Sequence, residues 1–289
     1  LHNFHTLTGE MNNQKQNTEK NIRAILQPLL CYLEENNILY SIDYYSSISP
    51  YSFISIPDIN TKFHFINPIK TLKKWHSRHA ITTINTHFKK ERIIHLWADT
   101  WQTKQSAVLS RVSGLLGNTT RIHARTLKVE RIDIHTLNEF VELNHISGSP
   151  NSKIKLGLFK GKKLVAIASF SGKRKINDRN GLPHQSYELI RYCNLIDHTV
   201  VGGLSKLLKY FIKEYSPDDI MTYTDSDWSA GESFTKLGFE KMDHSAPIIF
   251  NWNETLKIRE KSNNNTDPEF PVFNAGSNKY ILNLNRINN

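Results

Sequence analysis

The stretch from Tyr187 to Phe239 constrains this chain most. It reads Tyr187-Glu-Leu-Ile-Arg-Tyr-Cys193, Thr199-Val-Val-Gly-Gly-Leu-Ser-Lys-Leu-Leu208, Asp219-Ile-Met-Thr-Tyr-Thr224 and Ser233-Phe-Thr-Lys-Leu-Gly-Phe239. An apolar strand, a glycine loop opening a helix, a second strand and a helix closing on Leu-Gly-Phe make one β-α-β-α unit. Gly202 and Gly203 permit close backbone approach, and the amides of Leu204, Ser205 and Lys206 fall at a helix start, where unpaired donors and the helix dipole favour an anion. The spacing is compatible with a bound phosphate group and also with an unoccupied tight turn.

The rest of the chain is read around that unit. At 289 residues it has room for one large or two ordinary domains, and no apolar run reaches the roughly 18 residues of a membrane helix. The first residues lack a basic-then-apolar leader pattern, and two distant cysteines, Cys31 and Cys193, make no disulfide framework, so a reducing, cytoplasmic setting is expected. A net charge of +10 favours a polyanionic partner, nucleic acid above all, with Lys73, Lys74, Arg78, Lys173, Arg174 and Lys175 as candidate phosphate contacts.

Residues 1–17 are polar and read as a flexible lead-in. Ile22, Ile25, Leu26, Leu29, Leu30 and Leu33 then recur at helical spacing. Short β-branched and aromatic runs over 38–66 predict sheet, Trp75 to Phe88 a basic helix, Arg92 to Trp97 a buried strand, and Thr103 to Leu116 a helix ended by Gly117. The first domain, residues 18–118, ends there. In the second, residues 119–289, the pattern predicts a strand over 120–129, a helix over 137–145, a hairpin turning at Lys160-Gly-Lys-Lys163, a charged loop over 254–268 and a last hairpin over 270–284.

Ser55-Ile-Pro-Asp-Ile-Asn60, Ile94-His-Leu-Trp-Ala-Asp-Thr-Trp101 and Ser110-Arg-Val-Ser-Gly-Leu-Leu-Gly117 resemble phage and mobile-element homing endonucleases related to the very-short-patch-repair nuclease. That resemblance implies two carboxylates holding Mg²⁺, but the aligned positions are Phe53 and His64, so it implies a degenerate nuclease fold with no metal. Asp58, Asp99 and His64 are the residues from which a substitute site would have to be built.

Gly202-Gly203-Leu-Ser205 at a helix start and Phe234-Thr-Lys-Leu-Gly-Phe239 resemble the GNAT acyltransferases. Together with Asn144-His-Ile-Ser-Gly148, Tyr223-Thr-Asp-Ser-Asp-Trp228 and Phe273-Asn-Ala-Gly-Ser-Asn-Lys-Tyr280, they look like the GNAT-like domain attached to those same phage nucleases. The resemblance implies a mixed α/β (α+β) chain, with a restriction-endonuclease-like domain followed by a GNAT-like mixed-sheet domain. It implies acyl-coenzyme A as donor, held by Val201, Gly202, Gly203, Leu204, Ser205 and Lys206, and a nucleobase or other amine as acceptor. Glu188, Arg191, Asp225 and His145 are the candidate catalytic residues, with Glu188 as base. Two departures stand out: Thr199 or Val200 where the family loop starts with Arg or Gln, and Phe234 where it often has a proton-donating tyrosine. Tyr223 is a possible substitute. A non-catalytic DNA-binding or virion-associated protein and an endonuclease with unusual metal ligands remain alternative readings.

Overall fold

The protein, as a computed structural model, is described over residues 2–177, 181, 183–261 and 267–284, with the backbone alone for 2–15, 73, 74, 176 and 177. It opens with α1 (His2–Glu35), so residues 2–17 are helical rather than an irregular lead-in. Leu26, Leu29, Leu30 and Leu33 repeat every three or four residues and are fully or almost fully buried. They cover a four-stranded sheet ordered β1 (Ser41–Asp43), β2 (Ser52–Ile56), β3 (Thr61–Ile66) and β4 (Arg92–Trp97), with α2 (Ala80–His87) in the crossover between the parallel pair β3 and β4. The helix expected over 75–88 is shorter than its pattern, because a 3-10 segment, Lys70–Trp75, precedes it. Two helices follow, α3 (Ala98–Thr103) and α4 (Gln105–Leu116). Gly117 ends α4 in the left-handed region at φ 80°.

The expected strand over 120–129 is broken by a 3-10 turn into β5 (Thr120–His123) and β6 (Lys128–Arg131). Asp133 then caps α5 (Ile134–Asn144) by accepting from the Thr136 amide at 2.8 Å. The hairpin of β7 (Ile154–Lys160) and β8 (Lys163–Phe170) turns at Gly161, φ 60°, as its glycine and flanking apolar runs predict. After β9 (Arg174–Asn177) come β10 (Pro183–Asn194), β11 (His198–Val201), α6 (Gly203–Tyr215), β12 (Asp219–Asp225), α7 (Glu232–Thr235), β13 (Glu240–Ser245), β14 (Ile249–Asn253), β15 (Ile258–Lys261), β16 (Pro271–Phe273) and β17 (Ser277–Asn283).

The large sheet runs β13-β17-β12-β10-β8-β7-β6, with β9 beside β10, and is antiparallel except at β10 and β12. This is the GNAT-like mixed sheet that the sequence leads one to expect. Helix α6 covers one face: Leu204, Leu207, Leu208 and Phe211 lie at i, i+3, i+4 and i+7 and are buried, and Phe211 stacks on Phe170 at 3.8 Å. Phe211→Ala is expected to cost about 3–5 kcal/mol, the usual loss on emptying an aromatic core site. A change under 1 kcal/mol in chemical denaturation would show that the helix is not anchored there.

The expected hairpin over 270–284 does not form. Strand β16 pairs with β14, whereas β17 fills the large sheet between β12 and β13. The charged segment over 254–268 contains β15, and residues 262–266 lie outside the described residues. Trp252, Phe270, Val272 and Ala275 from the β14-β15-β16 region pack with Tyr51, Ile66, Ile81 and Trp97, so the end of the chain returns to the N-terminal core. Trp228, from the loop after β12, joins the other N-terminal cluster with Trp101, Val108 and Val112. The two halves on either side of residue 118 therefore share packed apolar surface.

Candidate active site

The site begins where β10 and β12 part. Their parallel pairing runs from Ser186 opposite Asp219 to Leu189 opposite Thr222 and then stops, although β10 continues to Asn194 and β12 to Asp225. At that point the register of β10 on β8 shifts between Leu189 and Arg191, a bulge that re-aims the strand. The Thr222 hydroxyl closes the last rung by donating to the Leu189 carbonyl at 2.9 Å. Beyond it, β10 pairs only with β8 and β12 only with β17, so the facing edges carry backbone donors and acceptors without a strand partner.

The opening leads into a cavity of about 520 Å³. Its walls are Leu189–Tyr192, Thr222–Asp225, the glycine turn Gly202–Ser205 and His145–Ser147. The turn follows from two residues. Gly202 takes φ 74°, and at Gly203 a Cβ would fall 2.5 Å from the Tyr192 hydroxyl and 2.9 Å from Val200 Cγ1. No side chain caps α6, whose first return bond runs from the Lys206 amide to the Gly202 carbonyl at 3.0 Å. The Lys206 amide is therefore engaged, contrary to the sequence reading. The Gly203 and Ser205 amides precede it without an acceptor among the described residues, and the Leu204 amide meets the Tyr192 hydroxyl. Burial, the largest influence, raises the Tyr192 pKa, so the phenol keeps its proton and donates to Asn194 Oδ1 at 2.8 Å.

On the outer side of the same turn lies a groove of about 480 Å³ lined by His123, Arg125, Val201, Lys206 and Lys209, with Gly202 and Ser205 shared between groove and cavity. Val201 faces this groove, while Gly203 and Leu204 line the cavity. The ammonium of Lys206 is committed: it donates to the carbonyls of Ala124, at 2.9 Å, and Leu127. Lys206 thus fastens the 3-10 turn under the loop, which leaves Arg125 and Lys209 as the groove's free-standing cationic side chains.

Of the four expected catalytic residues, the cavity gathers three: His145, Arg191 and Asp225. Glu188 lies elsewhere, in an ion pair with Arg174 and with its amide on the Ser171 hydroxyl at 2.9 Å, so it is not placed as a base. That pair also occupies Arg174, one of the expected nucleic-acid contacts. Arg78, Lys173 and Lys175 are exposed, and the side chains of Lys73 and Lys74 lie outside the described residues. Asp225 has surface open to the cavity but is walled by protein; burial pushes its carboxyl up, against the pull of the Asp227 amide, Arg259, Arg111 and Arg191. Burial, then Arg191 and Arg111, drives the His145 pKa down to about 3, so the imidazole is neutral at pH 7.

One cavity residue escapes sequence reasoning. Arg111 reaches in from α4 and stacks over Trp228 at 4.9 Å. Its signal was available: it is the only charged residue in Gln105–Leu116. Phe234 lines the cavity too, as does Tyr223, which carries a hydroxyl.

In the N-terminal sheet, His64 is buried in a chain of hydrogen bonds. Its Nε2 meets the Ser49 hydroxyl at 2.7 Å, its Nδ1 meets His95 Nδ1 at 3.0 Å, and His95 Nε2 meets Asn85 Oδ1 at 2.9 Å. Phe53 stacks on His64 at 4.6 Å. Burial, with His95 adding to it, holds the His64 pKa well below the usual value. Asp99 is bound by Arg259 at 2.8 Å and Asp58 is exposed, and no three His, Cys, Asp or Glu side chains among the described residues are grouped to hold a metal ion.

No family model and no curated protein matches the sequence. Solved structures do. A Bacillus subtilis acetyltransferase in complex with CoA is 15% identical, covering 55% of this chain and 99% of that one with a TM-score of 0.35. A GNAT family acetyltransferase from Elizabethkingia anophelis with acetyl-CoA bound is 10% identical over 55% and 99%, with a TM-score of 0.34. The ribosomal-protein-S18-alanine N-acetyltransferase of Escherichia coli is 12% identical over 55% and 94%, with a TM-score of 0.35. These TM-scores are below 0.5, and the fold assignment rests on the strand order and the split between β10 and β12.

Proposed function

We propose that this protein transfers an acyl group from a coenzyme A thioester to an amine. The carrying observation is the split sheet opening onto the free amides of a glycine-started helix. An extended pantetheine arm has the amides and carbonyls to pair with the unpartnered edges of β10 and β12. The pyrophosphate fits the Gly203 and Ser205 amides, and the nucleotide end fits the cationic groove of Arg125 and Lys209. The amine nitrogen bonds to the acyl carbon, the C–S bond breaks with its electron pair leaving on sulfur, and one amine proton is lost. Asp225 is the carboxylate in the cavity to accept it, and Tyr223 has a hydroxyl to protonate the thiolate.

Calorimetry with acetyl-CoA tests the reading: saturable binding is expected, and no heat at millimolar ligand would overturn it. Asp225→Asn is expected to lower kcat about 100-fold, the smaller end of general-base effects. Only the deprotonated carboxylate accepts a proton, so wild-type kcat/KM is expected to rise with pH through the raised Asp225 value and the variant to lose that limb. An unchanged pH profile would remove Asp225 from this role.

A second reading, in which DNA carries the acceptor amine, has in its favour the net charge of +10 and the exposed Arg78, Lys173 and Lys175. It requires DNA affinity to fall steeply with added salt; affinity indifferent to salt would end it.

A further inference from the structure

The acyl-donor side of the cavity is accounted for by backbone groups, but its far side is not. There the wall continues into a second space of about 450 Å³ that shares Arg111, His145, Tyr192, Trp228 and Lys236 with the first. The wall carries more positive than negative charge. Arg111 makes no hydrogen bond or ion pair within 4.0 Å among the described residues, and its guanidinium lies over the face of Trp228 at 4.9 Å. Arg191 reaches only carbonyls, Ile190 at 3.3 Å and Gly148 at 3.4 Å, and its buried Nε has no partner. Asp225 is the acid facing both, and it bonds to the Asp227 amide at 2.9 Å rather than to either guanidinium. The acid on the second space, Glu232, is taken by Arg92 at 3.1 Å.

A guanidinium enclosed by protein without a carboxylate costs stability, because it loses hydration and gains no counter-charge. Arg191, with its buried Nε unpartnered, is such a group, and Arg111, an exposed side chain from the other half of the chain, lines the same cavity, so that the two form a fork that an anion would complete. Burial lowers the pKa of Arg191, which has no close counter-ion. Resting on the acyl-transfer reading, we infer that the acceptor is a small amine carrying its own carboxylate or phosphate, seated between Arg111 and Arg191 with the amine toward Asp225. The N-terminal half, through Arg111 on α4, then selects the acceptor for chemistry carried out by the other half. The anion makes no covalent change; it fixes the amine while the C–N bond forms and the C–S bond breaks.

Matched probes test this: glycine and 2-aminoethylphosphonate against ethylamine as acceptors, with free thiol release as readout, beside calorimetry of CoA and of 2-aminoethylphosphonate separately. At least one anionic amine is expected to exceed ethylamine in kcat/KM by at least about 30-fold, the size of a lost partner in a buried charge pair. Arg111→Met and Arg191→Met are expected to erase that preference while CoA affinity stays within about twofold, and Arg111→Lys to recover part of it. Circular dichroism confirms folding, and Arg111→Lys stands in if the methionine variant unfolds. Equal use of all three amines, with CoA bound, would overturn the inference and leave acyl transfer standing. A fall in CoA affinity matching the fall in preference would overturn it too, by assigning the arginines to the cofactor's phosphates. Arginine-dependent binding of 2-aminoethylphosphonate without any CoA binding would keep the anion site and overturn the transferase.

Discussion

A valine at position 203 is expected to lower CoA affinity at least about 100-fold, the scale of a misplacement of about 1 Å in a positioned site. The first added atom already meets the Tyr192 hydroxyl at 2.5 Å and Val200 Cγ1 at 2.9 Å, and both belong to the walls that shape the glycine turn. The branch of valine must push α6 away from β10, which closes the split on one side and tilts the Gly203 and Ser205 amides off their target. Gly202→Ala is the control. Its Cβ meets only Ala124 Cβ at 3.8 Å, but its φ of 74° strains any L side chain, so about 1–2 kcal/mol of stability is expected to go while most affinity stays. If Gly203→Val binds CoA as wild type does, the turn does not hold the pyrophosphate.

The second large effect lies where the two halves meet. Asp227 accepts from Trp97 Nε1 at 2.9 Å and from the Ala275 amide at 2.7 Å, stands 3.8 Å from Arg259, and its carbonyl takes the His95 amide at 2.8 Å. One residue after β12 thus ties β4 to the segment between β16 and β17. Asp227→Ala is expected to cost about 3–5 kcal/mol, because it leaves the buried Trp97 Nε1 and Ala275 amide donors without an acceptor. The pH response follows from burial, which with the neighbouring Asp225 carboxylate pushes the Asp227 pKa up to about 8. The folded value lies above the unfolded value of about 3.9. The folded chain therefore holds the proton more tightly, and this contribution is complete below about pH 4 and lost as pH climbs toward about 8. Asp227→Asn, which cannot ionise, is expected to flatten that decline in urea denaturation between pH 5 and pH 8. Parallel slopes for wild type and Asn variant would show that Asp227 is not the group responsible.

What could be read from the sequence was what local rules control. Strand β4 and helix α4 are apolar runs of clear period, and Gly117 ends one where it should. The hairpin at Gly161 and the start of α6 at Gly203 follow from glycines placed between apolar runs. The bulge between Leu189 and Arg191 is invisible locally, because it exists only against the register of β8. The fate of Glu188 depends on β9 bringing Arg174 to it, and that of Lys206 on carbonyls some 80 positions earlier in the chain. Phe270 and Tyr280 read as one hairpin because their segments alternate and a glycine separates them. Tertiary packing overrode that pattern: Phe270 buries against the N-terminal core and Tyr280 in the large sheet. Arg111 stood in plain view on α4, but the cavity it serves is built by both halves together.

On the proposed function, a cofactor lies in the split with its pyrophosphate at the glycine turn. Amide hydrogen exchange with and without CoA tests this most directly. Protection is expected in two separate segments, Ile190–Tyr192 and Gly203–Ser205, together with Tyr223–Asp225 across the gap. Unchanged exchange at all three under saturating CoA, or protection confined to the N-terminal sheet, would contradict it.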